Sequence, residues 1–348
     1  MNNPFSLSFG IKPVELVARP VQSDEIINAF ESVPANQRTY MITGVRGSGK
    51  TVLLEEISEQ LKAKGKWTVI PLSPEADMLH SLAAKLSNTR KYYELFRDAK
   101  INLSVFGLGL EIDGEPPVTD DETAIERMLE SIKKKGERVL ITVDEVTNNP
   151  FVKHFVSVYQ IMIRENLPVF LLMTGLFENI YDLQNEKSMT FLFRAPKVRL
   201  QPLNMPAVAA TYRNVLGIDL ETSVSMAKLT RGYAFAFQVL GYFTCQDPEH
   251  DYHNALVQYR LYLDEFVYNK LWFELSDKDR KILECMAKHS VEKVAEIKEL
   301  CKMSSNDFSA YRQRLIRKGI VDGTRRGVLT FTLPLFEEYI RDQILFSE

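Results

Sequence analysis

Cysteine is scarce in this sequence, long apolar runs are missing, and neither sign of charge predominates. Three cysteines (Cys245, Cys285 and Cys301) in 348 residues are too few and too scattered for a disulfide framework or a Cys-x-x-Cys zinc site. A net charge of −3 argues against a generally basic protein that coats nucleic acid, so any basic patch must be local. No apolar run approaches the roughly 18 residues of a membrane-spanning helix, which argues against a membrane partner.

The N-terminus, MNNPFSLSFG, lacks the basic start and the apolar core of a secretory signal peptide. Together with the few cysteines, this predicts a reduced, cytoplasmic protein. The length of 348 residues predicts two or three domains, with ample chain to form a hydrophobic core.

Glycine is concentrated in one informative place. Residues 44–51 have the sequence Gly-Val-Arg-Gly-Ser-Gly-Lys-Thr, a complete G-x-x-x-x-G-K-[ST] phosphate-binding loop. The glycines allow the backbone to wrap closely around phosphates, so that successive N–H groups point inward. In this motif the lysine reaches the β- and γ-phosphates, the threonine ligates Mg²⁺, and the following helix directs its positive end at the same anion. The predicted nucleotide-binding residues are Gly44, Val45, Arg46, Gly47, Ser48, Gly49, Lys50 and Thr51.

A second motif ends in two carboxylates. Residues 138–145, Arg-Val-Leu-Ile-Thr-Val-Asp-Glu, form a buried-strand pattern that finishes at Asp144 and Glu145. Ligands of parallel sheets bind beyond the carboxyl ends of the strands, so we expect both side chains beside the phosphate loop. Asp144 is predicted to hold Mg²⁺ with Thr51, and Glu145 to orient and polarise the attacking water. In isolation the same two residues also fit an ordinary turn after a strand.

Two further residues are candidates for the γ-phosphate. Thr174 ends the buried-strand pattern 167–175 and is predicted to contact the γ-phosphate or the lytic water, as a sensor residue; the alternative is a plain strand-end threonine. Arg194 lies before the next strand and is predicted to reach the γ-phosphate of its own or of a neighbouring subunit. Arg199 competes for that role, and a surface arginine is the alternative.

Apolar strand patterns alternate with helical patterns through the first part of the chain. Five strands are predicted at 39–43, 66–72, 139–143, 169–173 and 197–200, and an amphipathic helix at 51–64. This alternation predicts an α/β fold with a parallel sheet, here the core that carries the phosphate-binding loop. Residues 101–113 contain a Gly-x-Gly that fails the dinucleotide fingerprint and instead predicts an edge strand or hairpin.

The second part of the chain is predicted to be mostly helical. Helices are indicated at 207–216 and 223–229, as in a lid over a nucleotide, with Arg231 as a candidate lid contact. From residue 276 the pattern changes to three helices (277–287, 294–302 and 306–318), started by a capping box at Ser276 and by Ser304 or Ser305, then a β-hairpin over 320–332. This order predicts a winged helix-turn-helix. The resulting division is an N-terminal segment (1–30), an ATPase core (31–203), a helical lid (204–270) and a winged helix domain (271–348).

The predicted winged helix is locally basic. Residues 304–326 contain six basic and two acidic side chains, which gives a local charge of +4. A third helix in the major groove, with wing arginines on the flanking backbone, is the corresponding mode of DNA binding. Winged helices also dock on proteins, and a basic helix face is often only solvated. The candidate DNA-binding residues are Arg312, Arg314, Arg317, Lys318, Arg325 and Arg326.

With these motifs, the chain resembles the archaeal-type P-loop ATPases of the AAA+/STAND group, which lie near the origin-recognition ATPases and have a C-terminal winged helix. Residues 13–19 (Pro-Val-Glu-Leu-Val-Ala-Arg) are similar to the group's Pro-x-x-Leu-x-Gly-Arg, and residues 232–238 (Gly-Tyr-Ala-Phe-Ala-Phe-Gln) to its Gly-Tyr-Pro-x-x-x-Gln lid motif. Ala18 and Ala234 are the departures. The resemblance implies ATP rather than GTP as the nucleotide, and Arg19 as a residue near it.

The sequence therefore predicts a Mg²⁺-dependent ATP-binding and ATP-hydrolysing switch that couples its nucleotide state to duplex DNA through the winged helix. The alternative is an ATP-gated signalling scaffold, which self-associates or binds a partner protein and whose winged helix contacts protein. A nucleotide-binding module with negligible turnover is a third possibility. DNA-stimulated hydrolysis with a steep salt dependence would favour the first.

Overall fold

The computed structural model describes residues 3–8, 12–106 and 117–347, which form two compact units. The sheet unit comprises residues 19–43 and 50–199. The helical unit comprises the described residues of 1–18, the loop 44–49, and the chain from residue 200 onward. Within the described residues, no helix is both long enough and apolar enough to span a membrane.

The sheet unit is built on five parallel strands in the order β2-β3-β4-β1-β5. Their bounds are β1 (Thr39–Thr43), β2 (Trp67–Leu72), β3 (Arg138–Val143), β4 (Val169–Gly175) and β5 (Lys197–Arg199). Every residue of β1 and β4 is buried, because helices cover both faces of the sheet and leave no alternating polar positions. All five predicted strands are present, and the predicted parallel α/β fold is confirmed.

Among its described residues, the sheet unit has seven α-helices that alternate with these strands. They are α1 (Pro20–Glu31), α2 (Lys50–Ala63), α3 (Met78–Ser87), α4 (Tyr93–Asp98), α5 (Asp121–Lys134), α6 (Pro150–Arg164) and α7 (Phe177–Asn185), with short 3₁₀ segments at Arg90–Tyr92 and Lys187–Arg194. Helix α2 buries Leu54, Ile57 and Leu61 on one face, as the sequence periodicity predicts, and Gly65 follows its end in the left-handed conformation (φ 74°).

The predicted edge strand or hairpin at 101–113 falls largely outside the described residues. Residues 101–106 contain a turn and no strand, and residues 107–113 are not among those that the structure describes. The buried side chains of Leu103 and Phe106 instead join the core of the sheet unit.

The helical unit contains nine helices and one short hairpin among its described residues. They are α8 (Met205–Leu216), α9 (Leu220–Thr230), α10 (Ala234–Gln246), α11 (Tyr252–Leu263), α12 (Asn269–Phe273), α13 (Asp277–His289), α14 (Val294–Cys301), α15 (Ser305–Lys318), β6 (Val321–Asp322), β7 (Thr330–Phe331) and α16 (Phe336–Ser347). A π-helical turn, Asp264–Tyr268, joins α11 to α12.

One hydrophobic core runs through the whole helical unit. Tyr268 of the π-helical turn packs on Phe336 and Tyr339 of α16, with ring centroids 4.9 Å and 5.7 Å apart. Phe5 of the N-terminal segment packs on Tyr212 and Phe237, with ring centroids 5.8 Å and 5.5 Å away. The regions predicted as a lid and as a C-terminal domain therefore share buried side chains.

The C-terminal part of this unit begins at caps that the sequence signals. Ser276 and Asp279 form a capping box at the start of α13, and the Ser304 hydroxyl accepts a hydrogen bond from Asp307 N at the start of α15 (3.1 Å). After α15, β6 and β7 pair antiparallel, and the chain at Lys293 bridges to Val328 beside them. Three helices are thus followed by a small antiparallel sheet.

Candidate functional site

The phosphate-binding sequence forms the connection between β1 and α2. Gly47 and Gly49 have left-handed backbones (φ 71° and 91°), which residues with a Cβ rarely adopt. A Cβ at Gly44 would lie 2.5 Å from Ser48 Oγ, so a larger residue there would require the Ser48 side chain to move. Helix α2 begins directly after the loop, at Lys50, and the Lys50 side chain is largely buried (7% exposed). The loop therefore precedes a helix N-terminus, where backbone N–H groups and the helix dipole favour an anion.

Thr51 and Asp144 are brought together in the sheet unit. Thr51 is the second residue of α2, and Asp144 follows β3 directly. The Thr51 hydroxyl donates a hydrogen bond to Asp144 Oδ2 over 2.8 Å. A hydroxyl and a carboxylate oxygen at this separation are the hard ligands that Mg²⁺ takes beside nucleotide phosphates, so the residues present fit that ion.

Thr174 lies beneath Asp144 at the end of β4. Its side chain is completely buried (0% exposed), and its hydroxyl donates to Asp144 Oδ1 and accepts from Glu145 N (3.1 Å). Sequence reasoning assigned this hydroxyl to the γ-phosphate or the lytic water, and that assignment stays a prediction. The described contacts use its one hydrogen to orient the carboxylate of Asp144.

Glu145 is held in an unusual backbone conformation. Its φ of 51° is left-handed, which costs a residue with a Cβ about 1–3 kcal/mol. Its N–H lies within hydrogen-bond distance of Asp144 Oδ1 and Thr174 Oγ1 (3.1 Å each), and Val146 N donates to the Thr174 carbonyl (2.8 Å). These bonds fix the turn, and the Glu145 side chain is exposed at the carboxyl edge of the sheet.

Comparison with known families agrees with this geometry. Residues 25–187 match a family described as an ATPase domain predominantly from Archaea. This segment is an archaeal-type P-loop ATPase domain. The protein is accordingly an ATPase, and residues 265–340 of the same chain match a domain of unknown function (DUF8462).

Solved structures share the fold of this ATPase over nearly its whole length. A Walker-type ATPase of Pyrococcus abyssi is 15% identical with a TM-score of 0.65, over 94% of this chain and 96% of that one. The ORC2 protein of Aeropyrum pernix, in its ADPNP–ADP complexes, is 13% identical with a TM-score of 0.61, over 98% of both chains. No curated protein sequence matches.

The two arginines predicted to lie near the nucleotide differ in their surroundings in the ATPase. Arg19 directly precedes α1, and its carbonyl accepts the Ser23 N–H (3.0 Å); burial lowers the pKa of its guanidinium. Arg194 is exposed at the end of the second 3₁₀ segment, and within the described chain no hydrogen bond or ion pair connects it to Asp144 or Glu145. Their roles stay predictions.

One member of the predicted DNA-binding set, Arg314, has partners inside the helical unit. The Arg314 guanidinium forms an ion pair with Asp279, whose side chain is completely buried, and Nε of Arg314 donates to Asp279 Oδ1 (3.1 Å). It also lies over the ring of Tyr311, 4.6 Å from the centroid. Arg314 therefore links α15 to α13 inside the helical unit, while 35% of its side chain remains exposed, and its role in DNA binding stays a prediction.

The remaining basic residues differ in exposure. Arg317 on α15 and Arg325 and Arg326 in the hairpin are exposed, whereas Arg312 and Lys318 are half-buried. Asn306 and Gln313, which the sequence analysis did not single out, are exposed on the same side of α15 as Arg317. Their spacing along the helix (306, 313 and 317) was the signal that could have identified this face.

Proposed function

We propose that this ATPase uses its nucleotide state to control binding of duplex DNA through its C-terminal region, which acts as a winged helix. The observation that carries the proposal is the exposure of Arg317 on α15 and of Arg325 and Arg326 in the hairpin, with the amide side chains of Asn306 and Gln313 on the same side of α15 as Arg317. The match of residues 25–187 to an ATPase domain supports the nucleotide half of the proposal.

For hydrolysis, each residue at the sheet edge has a distinct task. Lys50 and the amides of the preceding loop stabilise charge on the β- and γ-phosphates. Thr51 and Asp144 hold Mg²⁺, which supplies neutralisation of phosphate charge when it is bound with ATP. Glu145 orients and polarises the water that attacks the γ-phosphate, and Thr174 keeps the Asp144 carboxylate turned toward Thr51.

For DNA binding, the kinds of side chain exposed on α15 indicate possible base contacts, which the positive charge alone does not. Asn and Gln side chains bond adenine edges in the major groove, and Arg bonds guanine edges or phosphates. Asn306, Gln313 and Arg317 lie on one side of α15, which is 14 residues long and fits the major groove as a single helix. Arg325 and Arg326 lie between β6 and β7, where a wing contacts the flanking backbone.

The decisive experiment is steady-state phosphate release with and without duplex DNA, over a salt series. We expect DNA to change the turnover of the wild type, and we expect this effect of DNA to weaken steeply as the salt concentration increases. The triple variant Arg317→Ala/Arg325→Ala/Arg326→Ala is expected to lose that response and to keep its basal turnover. Lys50→Ala supplies the background rate, because it removes the charge that holds the phosphates.

The control is Lys133→Ala/Lys134→Ala, which removes two exposed positive charges from α5 of the sheet unit and is compared with the double variant Arg325→Ala/Arg326→Ala as well as with the triple variant. This control should respond to DNA like the wild type. If DNA leaves the wild-type rate unchanged and no DNA binding is seen at low salt, the proposal is wrong. An ATP-dependent change in mass under those conditions would favour the alternative, an oligomerising scaffold.

A further inference from the structure

The carbonyl oxygens of the phosphate loop have specific partners in the helical unit. The buried hydroxyl of Tyr233 donates to the carbonyl of Arg46 over 2.6 Å. The backbone N–H of Phe235, in the first turn of α10, donates to the carbonyl of Gly47 over 3.0 Å. Two consecutive carbonyls of the loop are thus bound by one short segment of chain.

These bonds determine the direction of the neighbouring N–H groups. In a trans peptide unit, the C=O and the N–H that follows it point in opposite directions. When the carbonyls of Arg46 and Gly47 point toward Tyr233 and Phe235, the N–H groups of Gly47 and Ser48 point away from them. Inward-facing N–H groups are what a phosphate-binding loop requires, so the two bonds hold the loop in a binding conformation.

The contact between Tyr233 and the loop is also close. A Cβ built on Gly47 would lie 2.3 Å from the Tyr233 hydroxyl oxygen, a distance that real atoms do not adopt. Gly47 is therefore required both by its left-handed backbone and by the approach of Tyr233.

The segment that makes these contacts has a fixed backbone. Arg231 and Gly232 are consecutive left-handed residues (φ 48° and 71°), and Gly232 accepts a hydrogen bond from Leu203 N (2.7 Å). Tyr233 N donates to the carbonyl of Thr230 (2.8 Å). A left-handed arginine persists only when its surroundings over-determine it, so displacement of one end of this segment is expected to move the other.

The other end of the segment contacts the C-terminal hairpin. Nη1 of Arg231 donates to the carbonyl of Phe331 in β7 over 3.0 Å. Sequence reasoning placed Arg231 as a lid contact, but the described contact of its side chain is with this strand. Residues 231–235 thus connect the phosphate loop to β7.

We propose that residues 231–235 form a coupling segment. Tyr233 is a positioning residue that sets the phosphate loop for nucleotide, and Arg231 transmits the state of the loop to the hairpin. Neither part of this coupling requires DNA.

The first test concerns Tyr233. Tyr233→Phe removes one hydroxyl and keeps the ring; we expect about fivefold weaker binding of ADP and of a non-hydrolysable ATP analogue by calorimetry, the worth of one hydrogen bond. Tyr259→Phe is the control, because its hydroxyl also donates to a backbone carbonyl (Leu229, 3.0 Å) but not to the loop. Unchanged affinity in Tyr233→Phe, or an equal loss in Tyr259→Phe at equal melting temperature, overturns the positioning role.

The second test concerns Arg231 and uses amide hydrogen exchange over residues 321–331, with and without the same nucleotides and in the absence of DNA. In the wild type we expect nucleotide to change exchange in this segment. In Arg231→Gln we expect that response to disappear while nucleotide affinity stays within twofold of the wild type. The transmission role is overturned if nucleotide does not change hydrogen exchange over residues 321–331 in the wild type, or if the change is just as large in Arg231→Gln.

The two tests are independent of the DNA proposal. A protein with a working coupling segment and no DNA response would pass both tests and fail the phosphate-release experiment. A protein with a DNA response but no coupling through residues 231–235 would fail both tests and still show DNA-dependent phosphate release.

Discussion

The guanidinium of Arg314 on α15 forms an ion pair with the carboxylate of Asp279 on α13, and Asp279 is completely buried. Asp279 is also the N3 residue of the capping box that starts α13, so its carboxylate accepts from Ser276 N as well (3.2 Å). One buried charge therefore fixes the start of α13 and the position of α15 against it. Five predictions follow from such relationships.

Removal of Arg314 should destabilise the helical unit. Arg314→Ala leaves the Asp279 charge buried without its partner, and breaking such a pair costs about 3 kcal/mol. Arg317→Ala, on the exposed side of the same helix, should change the unfolding free energy by less than about 0.5 kcal/mol. Urea unfolding of both variants measures the difference. Equal stability of the two variants would show that the ion pair does not hold α15 in place.

Loss of the Thr51 hydroxyl should weaken Mg²⁺-dependent nucleotide binding. Thr51→Val keeps the shape of the side chain but removes the hydroxyl oxygen that is proposed to ligate Mg²⁺, whereas Thr51→Ser keeps the hydroxyl. We expect Thr51→Val to lose at least tenfold in ATP affinity with Mg²⁺ present, and Thr51→Ser to remain close to the wild type. Titrations with and without EDTA separate the metal-dependent part. If the valine variant kept its full Mg²⁺ dependence, Thr51 would not be a ligand.

Replacement of Glu145 should separate binding from hydrolysis. Glu145→Gln keeps the size of the side chain but cannot polarise water as a carboxylate does, so turnover should fall by roughly 10²–10⁴-fold. ATP affinity should stay within a few-fold of the wild type, because the role proposed for Glu145 is a contact with the water rather than with the phosphates. Single-turnover hydrolysis and equilibrium binding measure the two quantities. Wild-type turnover in this variant would remove Glu145 from the mechanism.

Thr174 should act through Asp144 and the Glu145 turn. Thr174→Val removes the hydroxyl that both residues contact, and we expect turnover to fall by about 10–100-fold from misplaced groups. Thr174→Ser restores both hydrogen bonds and should recover most of the activity. Mg²⁺ affinity should weaken in the valine variant, since Asp144 loses its orientation. A fall in turnover of Thr174→Val with unchanged Mg²⁺ affinity would instead favour a direct contact of the threonine with ATP or water, and failure of serine to rescue activity would show that the hydroxyl is not the group that matters.

Stability of the helical unit should depend on pH through Asp264. Burial raises the pKa of Asp264 from 3.8 to about 6; Arg260 lowers it and Asp342 raises it. Arg260 lies between the two carboxylates, with its Nε 3.7 Å from Asp264 Oδ2 and its Nη2 paired with Asp342. The folded protein thus binds a proton more tightly than the unfolded chain does between pH values of about 4 and 6, so this contribution to stability is lost as pH rises through that range.

Asp264→Asn removes this titration. Relative to the variant, the unfolding free energy of the wild type should fall by about 1 kcal/mol between pH 4.5 and 7. This value is smaller than the full pKa shift of Asp264 would give, because the carboxylate is partly exposed. Urea unfolding at several pH values gives the two curves. Parallel curves would show that Asp264 has the same proton affinity in the folded and unfolded states.

Local sequence patterns are sufficient to predict the parallel sheet, the phosphate loop and the helix starts. These depend on contiguous residues: an apolar run makes β3 or β4, three glycines and Lys50 make the loop, and Ser276 and Ser304 cap their own helices. The steric and hydrogen-bonding rules involved act within a few residues, so a local sequence pattern is enough to predict these structures.

Tertiary packing determines which polar side chains become hydrogen-bond or ion-pair partners. Arg314 resembles its basic neighbours in sequence, and only the tertiary structure shows that it pairs with Asp279 on another helix. Thr174 contacts a carboxylate 30 residues away, and Tyr233 binds a loop carbonyl 187 residues away. No local pattern marks such partners, because a hydroxyl or guanidinium forms the same bonds with any acceptor that packing brings within about 3 Å.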